Sequence, residues 1–236
     1  DAWNFANLKK FIKNNKIHKS LDVACGTGRL TSSLLQVSEE VYGIDLSEEV
    51  LNIAKQKYPQ VNFTLGEVVS LPYQDNFFDL VIINGSLHHF FAVEETLTEA
   101  YRVLKEGGVI LMMVPAENFL SRFIHDPNNY LNRLRKNPLI RKFLQKPPLN
   151  DAHEHDLFMK LHTRREMKDI LERVGFEVLV EEPVSHSFSL FMLCELFQKD
   201  SLGQTNALAE MLGWLLKKIA PWATANHLLF VGKKLV

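Results

Sequence analysis

The stretch that decides the fold runs Leu21-Asp22-Val23-Ala24-Cys25-Gly26-Thr27-Gly28-Arg29-Leu30-Thr31. Its apolar start is typical of a buried strand, its two glycines indicate a tight turn, and a helix is predicted to follow from Gly28 to Val37. Glycine adopts backbone angles that other residues avoid, and its missing side chain lets a ligand lie against the main chain. The start of the helix adds unpaired N–H groups. This stretch therefore predicts a strand–turn–helix unit with a ligand site at the turn.

A carboxylate closes the next predicted strand, Val41-Tyr42-Gly43-Ile44-Asp45. An acid at this place accepts hydrogen bonds from the ribose hydroxyls of a nucleoside, which is part of a dinucleotide or of S-adenosylmethionine. A dinucleotide site favours a third small residue three positions after the second glycine, where this chain has Thr31. Ala24 stands where many sites of the other kind have glycine. A plain strand-to-helix turn without a ligand also remains open.

Length and composition bound the class of protein. The chain has 236 residues, a net charge of −1 and two cysteines, Cys25 and Cys194. It is long enough for one large domain, and its balanced charge gives no general attraction to nucleic acid. The sequence shows no disulfide framework, no signal peptide and no apolar run long enough to cross a bilayer. We expect a cytoplasmic protein with no nucleic-acid partner and no stable membrane insertion.

The apolar pattern alternates between strand and helix periods up to residue 114. Predicted strands cover Ser20–Ala24, Glu40–Asp45, Asn62–Gly66, Phe78–Asn84 and Gly108–Val114. Predicted helices cover Ala2–Lys13, Gly28–Val37, Ser47–Lys57 and Val93–Leu104, the last one ended by Gly107-Gly108. Strands separated by helices form a parallel sheet whose ligands lie over the carboxyl ends of the strands. Asp45, Glu67 and Asn84 are therefore expected at one edge of the sheet.

The alternation stops after Pro115, where a first insertion begins. Residues 116–162 are basic and broken by prolines, which indicates either solvated helices or a lid that attracts an anionic substrate. A helix from Thr163 to Val174, opened by the capping box Thr163-Arg164-Arg165-Glu166, leads back to the core. A strand over Gly175–Val180 follows it.

A second insertion covers about residues 189–222 and is strongly apolar. Helix packing in the core, a dimer surface and a pocket for a lipid-like acceptor are all compatible with it. A strand over Asn226–Leu235 closes the chain. The predicted organisation is one domain over residues 1–236, with a core at 17–115 and 163–236 and these two insertions.

Four segments together resemble class I S-adenosylmethionine-dependent methyltransferases. They follow that family's order and spacing over roughly Lys19 to Pro115. They are Leu21–Gly28, Val41–Ser47, Gly66–Tyr73 with Phe77–Phe90, and Glu99–Leu111. The subgroup that they resemble, the type 11-like methyltransferases, includes small-molecule and lipid-quinone methylating enzymes. The motifs indicate the family and leave the substrate open.

The resemblance implies a fold and a cofactor. The fold is α/β and Rossmann-like, with a seven-stranded, mostly parallel sheet whose last strand is antiparallel, helices on both faces and helical cap insertions. The cofactor is S-adenosyl-L-methionine, with S-adenosyl-L-homocysteine as product. The partner is a small-molecule acceptor, either partly apolar or anionic, methylated at O, N or C. A monomer and a homodimer both fit.

The resemblance also implies roles for the residues around the donor. Asp22 orients the turn and meets the donor amino group, Asp45 binds the ribose hydroxyls, and Glu67 accepts from the adenine amino group in place of the family's Asp. The remaining contacts are the methionine moiety on Ala24, Cys25, Gly26 and Gly28, the adenine on Leu46 and the main chain of Val68, and the donor's amino acid part on Asn84 and Gly85.

His88 and His89 follow the fourth strand and are the candidate catalytic residues, with His89 preferred. A general base is needed only if the acceptor is a hydroxyl or a protonated amine, and a histidine that merely shapes the pocket is the alternative. His153-Glu154-His155-Asp156 with His162 has metal-ligand residue types, but surface or pocket-wall roles are favoured and no metal is expected. Cys25 is expected to be a packing residue.

Two other functions stay open from the sequence. One is an NAD-dependent oxidoreductase on the same scaffold. The other is a non-catalytic protein that binds the S-adenosyl nucleoside, since a fold does not determine a function.

Overall fold

The computed structural model describes residues 16–115, 161–184 and 227–235. Its strands there are β1 (Ile17–Val23), β2 (Ser38–Asp45), β3 (Asn62–Leu65), β4 (Phe78–Asn84), β5 (Leu104–Pro115), β6 (Phe176–Val184) and β7 (His227–Lys234). Its helices are α1 (Thr31–Leu34), α2 (Glu48–Lys57), α3 (Val93–Val103) and α4 (Arg164–Val174), with a 3-10 turn at Leu87–His89. The predicted helix over Ala2–Lys13, the second insertion and the first insertion up to position 160 lie outside the described residues.

The strands form one seven-stranded sheet in the order β3-β2-β1-β4-β5-β7-β6. β1 lies between two parallel neighbours, so that Val23 faces Ile44 of β2 on one side and Ile83 of β4 on the other. The chain moves outward from β1 to β3 and then returns to β4 across β1. Open α/β sheets bind ligands at such a reversal. The mostly parallel sheet with an antiparallel last strand confirms the predicted fold class.

Burial explains why the central strands read as apolar runs. The four consecutive residues Leu80–Ile83 of β4 are all buried, as expected for a parallel strand covered on both faces. In α3, Leu97, Ala100 and Val103 recur every three residues and are also fully buried. Each large apolar side chain removed from water contributes about 1.5–3 kcal/mol to folding. These contacts pack the strands whose ends carry the candidate site.

Helix α2 begins as its sequence indicates. The Ser47 side chain accepts a hydrogen bond from the N–H of Val50 at 3.5 Å, and Glu48 and Glu49 occupy the first turn. Acidic residues near the positive end of the helix dipole stabilise it. The cap holds the short connection between α2 and the end of β2, where Asp45 lies.

The helix predicted over Gly28–Val37 is wrong in extent, because α1 covers only Thr31–Leu34. The residues after it continue in turns closed by hydrogen bonds to the third residue before. Ser32 and Ser33 have weak helix propensity, and Leu30 provides no side-chain cap. A single helical turn has no sustained dipole, so the expected N–H groups of a helix start make no recognisable part of the site.

The role predicted for Gly107-Gly108 is also wrong. Helix α3 ends earlier, at Val103, where Leu104 already has extended backbone angles. Gly107 has φ of 75° and lies inside β5, where the pairing of β4 with β5 shifts in register. A Cβ on Gly108 would lie 2.8 Å from the carbonyl oxygen of Lys105. The two glycines therefore permit an irregularity in the strand.

The chain divides into two compact units. The first comprises Asp1–Val114, Arg165–Glu181 and Leu229–Val236, and the second comprises Pro115–Arg164 and Glu182–Leu228. The predicted organisation of one core with two insertions stays a prediction. Among the described residues, no helix is long and apolar enough to cross a membrane.

Candidate functional site

The turn after β1 is built from residues with left-handed backbone angles. Ala24, Gly26 and Gly28 have φ of 55°, 55° and 77°. The N–H of Cys25 donates to the carbonyl of Ile44 at 3.0 Å, and the N–H of Gly28 donates to the carbonyl of Cys25 at 3.0 Å. The turn is thus closed on itself and tied to the end of β2.

The two glycines of the turn have different physical roles. A Cβ on Gly26 would meet nothing within 4 Å, so this position borders open space. A Cβ on Gly28 would lie 2.8 Å from the ring of Phe63 and 3.0 Å from that of Tyr58. Gly26 therefore leaves room for a ligand against the main chain, whereas Gly28 permits close packing of the turn on β3 and α2.

Ala24 is strained, because an L residue in the left-handed region costs about 1–2 kcal/mol. We expect Ala24→Gly to raise the free energy of unfolding by about 0.5–1 kcal/mol, since glycine relieves the strain but loses more backbone entropy. Urea denaturation at neutral pH measures the change. Ala54→Gly, inside α2, is the control and should lower stability by about 1 kcal/mol or more. A loss of stability in Ala24→Gly would contradict the strain argument.

The Asp45 carboxylate connects the turn to the loop before α2. Its Oδ2 accepts from the N–H of Gly26 at 2.8 Å, and its Oδ1 accepts from the N–H of Ser47 at 3.0 Å. A carboxylate has about four acceptor positions, so two main-chain bonds leave capacity for further donors. Leu46 follows with 70% of its surface exposed, which puts an uncovered apolar side chain beside this carboxylate.

Asp22 is buried near the end of β1, with 3% of its surface exposed. The Thr31 hydroxyl donates to Asp22 Oδ2 at 2.6 Å. Burial raises the pKa of Asp22 from 3.8 to about 7, the Thr31 bond opposes this rise, and the charge of Asp45 adds to it. Such a carboxyl changes its charge near neutral pH and responds to a cation placed against it. Thr31 was not predicted as the partner of Asp22, although a hydroxyl nine residues after the acid could have indicated it.

Glu67 and Val68 come next along the same edge of the sheet. The N–H of Gly66 donates to the carbonyl of Asp45 at 3.1 Å, which brings the start of this segment beside the end of β2. Glu67 is exposed and Val68 is half-buried. The structure thus brings the predicted ribose-side and adenine-side residues to one edge.

Asn84 and Gly85 end β4, the other neighbour of β1. Gly85 has φ of 67°, and its N–H donates to the carbonyl of Met113 at 2.9 Å. A Cβ on Gly85 would meet nothing within 4 Å. This strand end, like the turn at Gly26, leaves open space against its main chain.

His88 and His89 lie in the 3-10 turn directly after this strand end. The N–H of His89 donates to the carbonyl of Ser86 at 2.9 Å, and the two imidazole rings are 3.8 Å apart between centroids. His89 is exposed, whereas His88 is half-buried. The exposed ring of His89 is the more accessible of the two to a second substrate.

Cysteine and metal-ligand side chains contribute little to the chemistry of this site. Cys25 is buried, and burial with the nearby charges of Asp22 and Asp45 raises the pKa of its thiol, which suppresses the reactive thiolate. Among the described residues, no three side chains of the metal-ligand types come together. His162 is buried there, while His153-Glu154-His155-Asp156 lies outside the described residues.

This chain is similar in sequence to known methyltransferases. The family model described as "Methyltransferase domain" matches residues 21–112. A demethylmenaquinone methyltransferase of Chlorobaculum tepidum is 35% identical over 108 residues, which cover 45% of this chain and 45% of that protein. The chain thus spans less than half the length of this curated relative.

Solved structures of other proteins share this fold. The YcgJ protein of Bacillus subtilis has a TM-score of 0.63 at 17% identity, and all of each chain is covered. The [4+2]-cyclase SpnF has a TM-score of 0.63 at 20% identity, covering 99% of this chain and 81% of that one.

The fold is that of the Rossmann-like methyltransferases, the class that the four motifs predicted. Residues 21–112 belong to the methyltransferase domain family, which confirms the family predicted from the four motifs. An S-adenosyl donor as the cofactor of this family is confirmed with it.

Proposed function

We propose that this protein transfers a methyl group from S-adenosylmethionine to a small-molecule acceptor. The observation that carries the proposal is the open turn at Gly26, whose N–H is bound to the Asp45 carboxylate at 2.8 Å. This pairing leaves main-chain surface for the methionine moiety and carboxylate acceptors for the ribose. The family membership of residues 21–112 supports the same conclusion.

The described residues fit the donor along its length. Asp22 and the main chain of Gly26 and Gly85 would hold the amino acid part, where two positions border open space. Asp45 would bind the ribose hydroxyls. Leu46, with its exposed apolar side chain, would cover the adenine, and Glu67 would accept from the adenine amino group. Ala24, Cys25, Gly28, Val68 and Asn84 would complete this surface.

For methyl transfer, the protein needs to align the acceptor with the donor and to exclude water. The bound donor supplies a methyl group already activated on a sulfonium centre, for which in-line attack is the productive geometry. His89 is proposed to accept a proton from a hydroxyl or ammonium acceptor, with His88 positioning its ring. An acceptor that is already nucleophilic needs no base.

The acceptor is proposed to have an apolar portion. Phe91, two residues after His89, is 82% exposed, so an aromatic surface lies near the candidate base. The C. tepidum relative is named for demethylmenaquinone, a name that agrees with an apolar acceptor. The methylated atom, the oligomeric state and the cytoplasmic location stay predictions.

Calorimetric titration of the whole chain tests the donor. We expect S-adenosylmethionine and S-adenosylhomocysteine to bind with dissociation constants in the micromolar range, about −8 kcal/mol, and NAD to give no signal. Preferential binding of NAD would favour the oxidoreductase alternative. Binding of neither compound would contradict the proposed function, and donor binding without methylation of any acceptor class would favour a non-catalytic role.

A further inference from the structure

One arginine holds the second half, residues 71–77, of the connection between β3 and β4. From α3, Arg102 donates through Nη1 to the carbonyl of Tyr73 at 2.8 Å and through Nη2 to the carbonyl of Leu71 at 2.9 Å. Nη1 also donates to Asp75 Oδ1 at 2.8 Å. The planar guanidinium binds several acceptors in one fixed geometry, so it fixes the path of the chain from Leu71 to Asp75.

Glu99, one turn earlier in α3, orients this guanidinium. Arg102 Nε donates to Glu99 Oε1 and Nη2 donates to Glu99 Oε2, both at 2.8 Å. The N–H of Leu71 donates to the same Oε2 at 2.8 Å. The Arg102 guanidinium holds the pKa of Glu99 below its usual range, so the pair is ionised at neutral pH. Both polar groups of the Leu71 main chain are thus bound to α3.

The remainder of this second half is also fixed. The Tyr73 ring meets Phe78 edge-on with centroids 4.9 Å apart, and the N–H of Asn76 donates to the carbonyl of Arg102 at 3.1 Å. Lys234 of β7 donates to Asn76 Oδ1 at 2.9 Å. Side chains and main chain from three elements therefore hold this half of the connection.

The first half carries the residues assigned to the adenine. Gly66 is bound to Asp45 through its N–H at 3.1 Å, and Leu71 is bound to Glu99 and Arg102. Between these two fixed points lie Glu67-Val68-Val69-Ser70, closed by a bond from the N–H of Ser70 to the carbonyl of Glu67 at 3.3 Å. A short segment fixed at both ends has few conformations, whereas release of one end restores many.

We propose that Arg102 is a positioning residue for adenine recognition: by fixing Leu71, it holds Glu67 and Val68 where they meet the ring. This inference rests on the proposed function, because it takes Glu67 as the acceptor for the adenine amino group. Arg102 itself touches no part of the donor in this scheme. Its loss therefore removes selectivity for the base more than it removes binding to the ribose and the methionine moiety.

The test compares two ligands that differ at the base. S-inosyl-homocysteine has an oxygen in place of the adenine amino group of S-adenosylhomocysteine, so it cannot donate there to Glu67. We expect the wild-type chain to prefer the adenosyl compound by about tenfold or more, as one hydrogen bond to a charged acceptor allows. In Arg102→Lys, which keeps the charge but loses the fork, the preference should fall to about threefold or less.

Arg173→Lys is the matched control. Arg173 of α4 is a second guanidinium that binds α3, with Nη2 donating to Glu94 Oε2 at 2.9 Å, and it is not part of the network around Leu71. Its substitution should leave the adenosyl-to-inosyl ratio unchanged. Amide exchange at Leu71 should become faster in Arg102→Lys and stay unchanged in Arg173→Lys. If Arg102→Lys does not fold, Glu99→Gln replaces it, because it keeps the side-chain shape while weakening the fork.

Each outcome separates the two proposals. If the wild-type chain binds neither compound, the proposed function fails and this inference fails with it. If the wild-type chain discriminates and folded Arg102→Lys keeps the same ratio, the donor site stands and the positioning role is overturned. An equal loss of affinity for both compounds also overturns it, since that is the result of a purely structural role.

Discussion

Asp45→Ala is expected to raise the dissociation constant of S-adenosylhomocysteine at least about 100-fold. Two hydroxyl groups bound to a carboxylate contribute about 1.5–3 kcal/mol each, and both contacts are lost together. The substitution also leaves the N–H groups of Gly26 and Ser47 without the acceptor that they have at 2.8 and 3.0 Å. The turn then loses its connection to the end of β2. Calorimetry on the folded variant measures the effect.

Two controls separate ribose binding from general damage. Glu39→Ala removes a carboxylate at the opposite end of β2, where it pairs with Lys16 and His18, and should leave the affinity unchanged. A 2′-deoxyribose form of S-adenosylhomocysteine should bind the wild-type chain more weakly than S-adenosylhomocysteine does. Asp45→Ala should reduce the affinity for this deoxy form by much less than it reduces the affinity for S-adenosylhomocysteine. Normal affinity in folded Asp45→Ala would refute the assignment of the ribose to this residue.

Asp22→Asn is expected to stabilise the free protein while weakening donor binding. The folded protein holds the proton of Asp22 more tightly than the unfolded chain, because its pKa is raised from 3.8 to about 7. The folded state therefore binds more protons between about pH 4 and pH 7, and the stability of the wild-type chain falls as pH rises through this window. Above pH 7 the loss is complete. Asn has no charge to bury, so the free energy of unfolding of Asp22→Asn should exceed that of the wild-type chain by about 1–3 kcal/mol at pH 8.

The affinity for the donor should change with pH in the opposite direction to the stability of the free protein. The donor presents an ammonium group and a sulfonium centre, so it binds better to an ionised Asp22. The affinity of the wild-type chain should therefore rise as pH increases from 6 to 8, whereas that of Asp22→Asn should be lower and nearly independent of pH. Thermal unfolding and calorimetry from pH 5 to pH 8.5 measure both effects.

Thr31→Val provides the matched variant. The Thr31 hydroxyl donates to Asp22 at 2.6 Å and thereby lowers the pKa of that carboxyl. Its removal should therefore move the pH dependence of stability and that of donor affinity to higher pH. Unfolding profiles of Asp22→Asn and wild type that stay parallel across this range would show that Asp22 does not titrate there.

Local patterns in the sequence predicted most of the fold and of the site. The apolar runs predicted the parallel strands because central strands are buried on both faces. Asp45, Glu67 and Asn84 were expected at one edge because parallel strands align their carboxyl ends. The parallel pairing of β1 with β2 and β4 aligns the strand ends that carry Asp45 and Asn84. Helix extent was less predictable, since the segment over Gly28–Val37 stops after one turn.

The sequence by itself indicated the family, the succession of strands along the chain and the residue types expected at the donor site, because these depend on short-range pattern and chain order. Tertiary structure decided which atoms meet. Gly28 packs closely against Phe63 only because the fold brings β3 to the turn, and the pKa of Asp22 is raised only because the fold buries that carboxyl. The contact of Arg102 with Leu71 likewise joins residues 31 positions apart. Such contacts depend on packing and on segments that only the fold brings together.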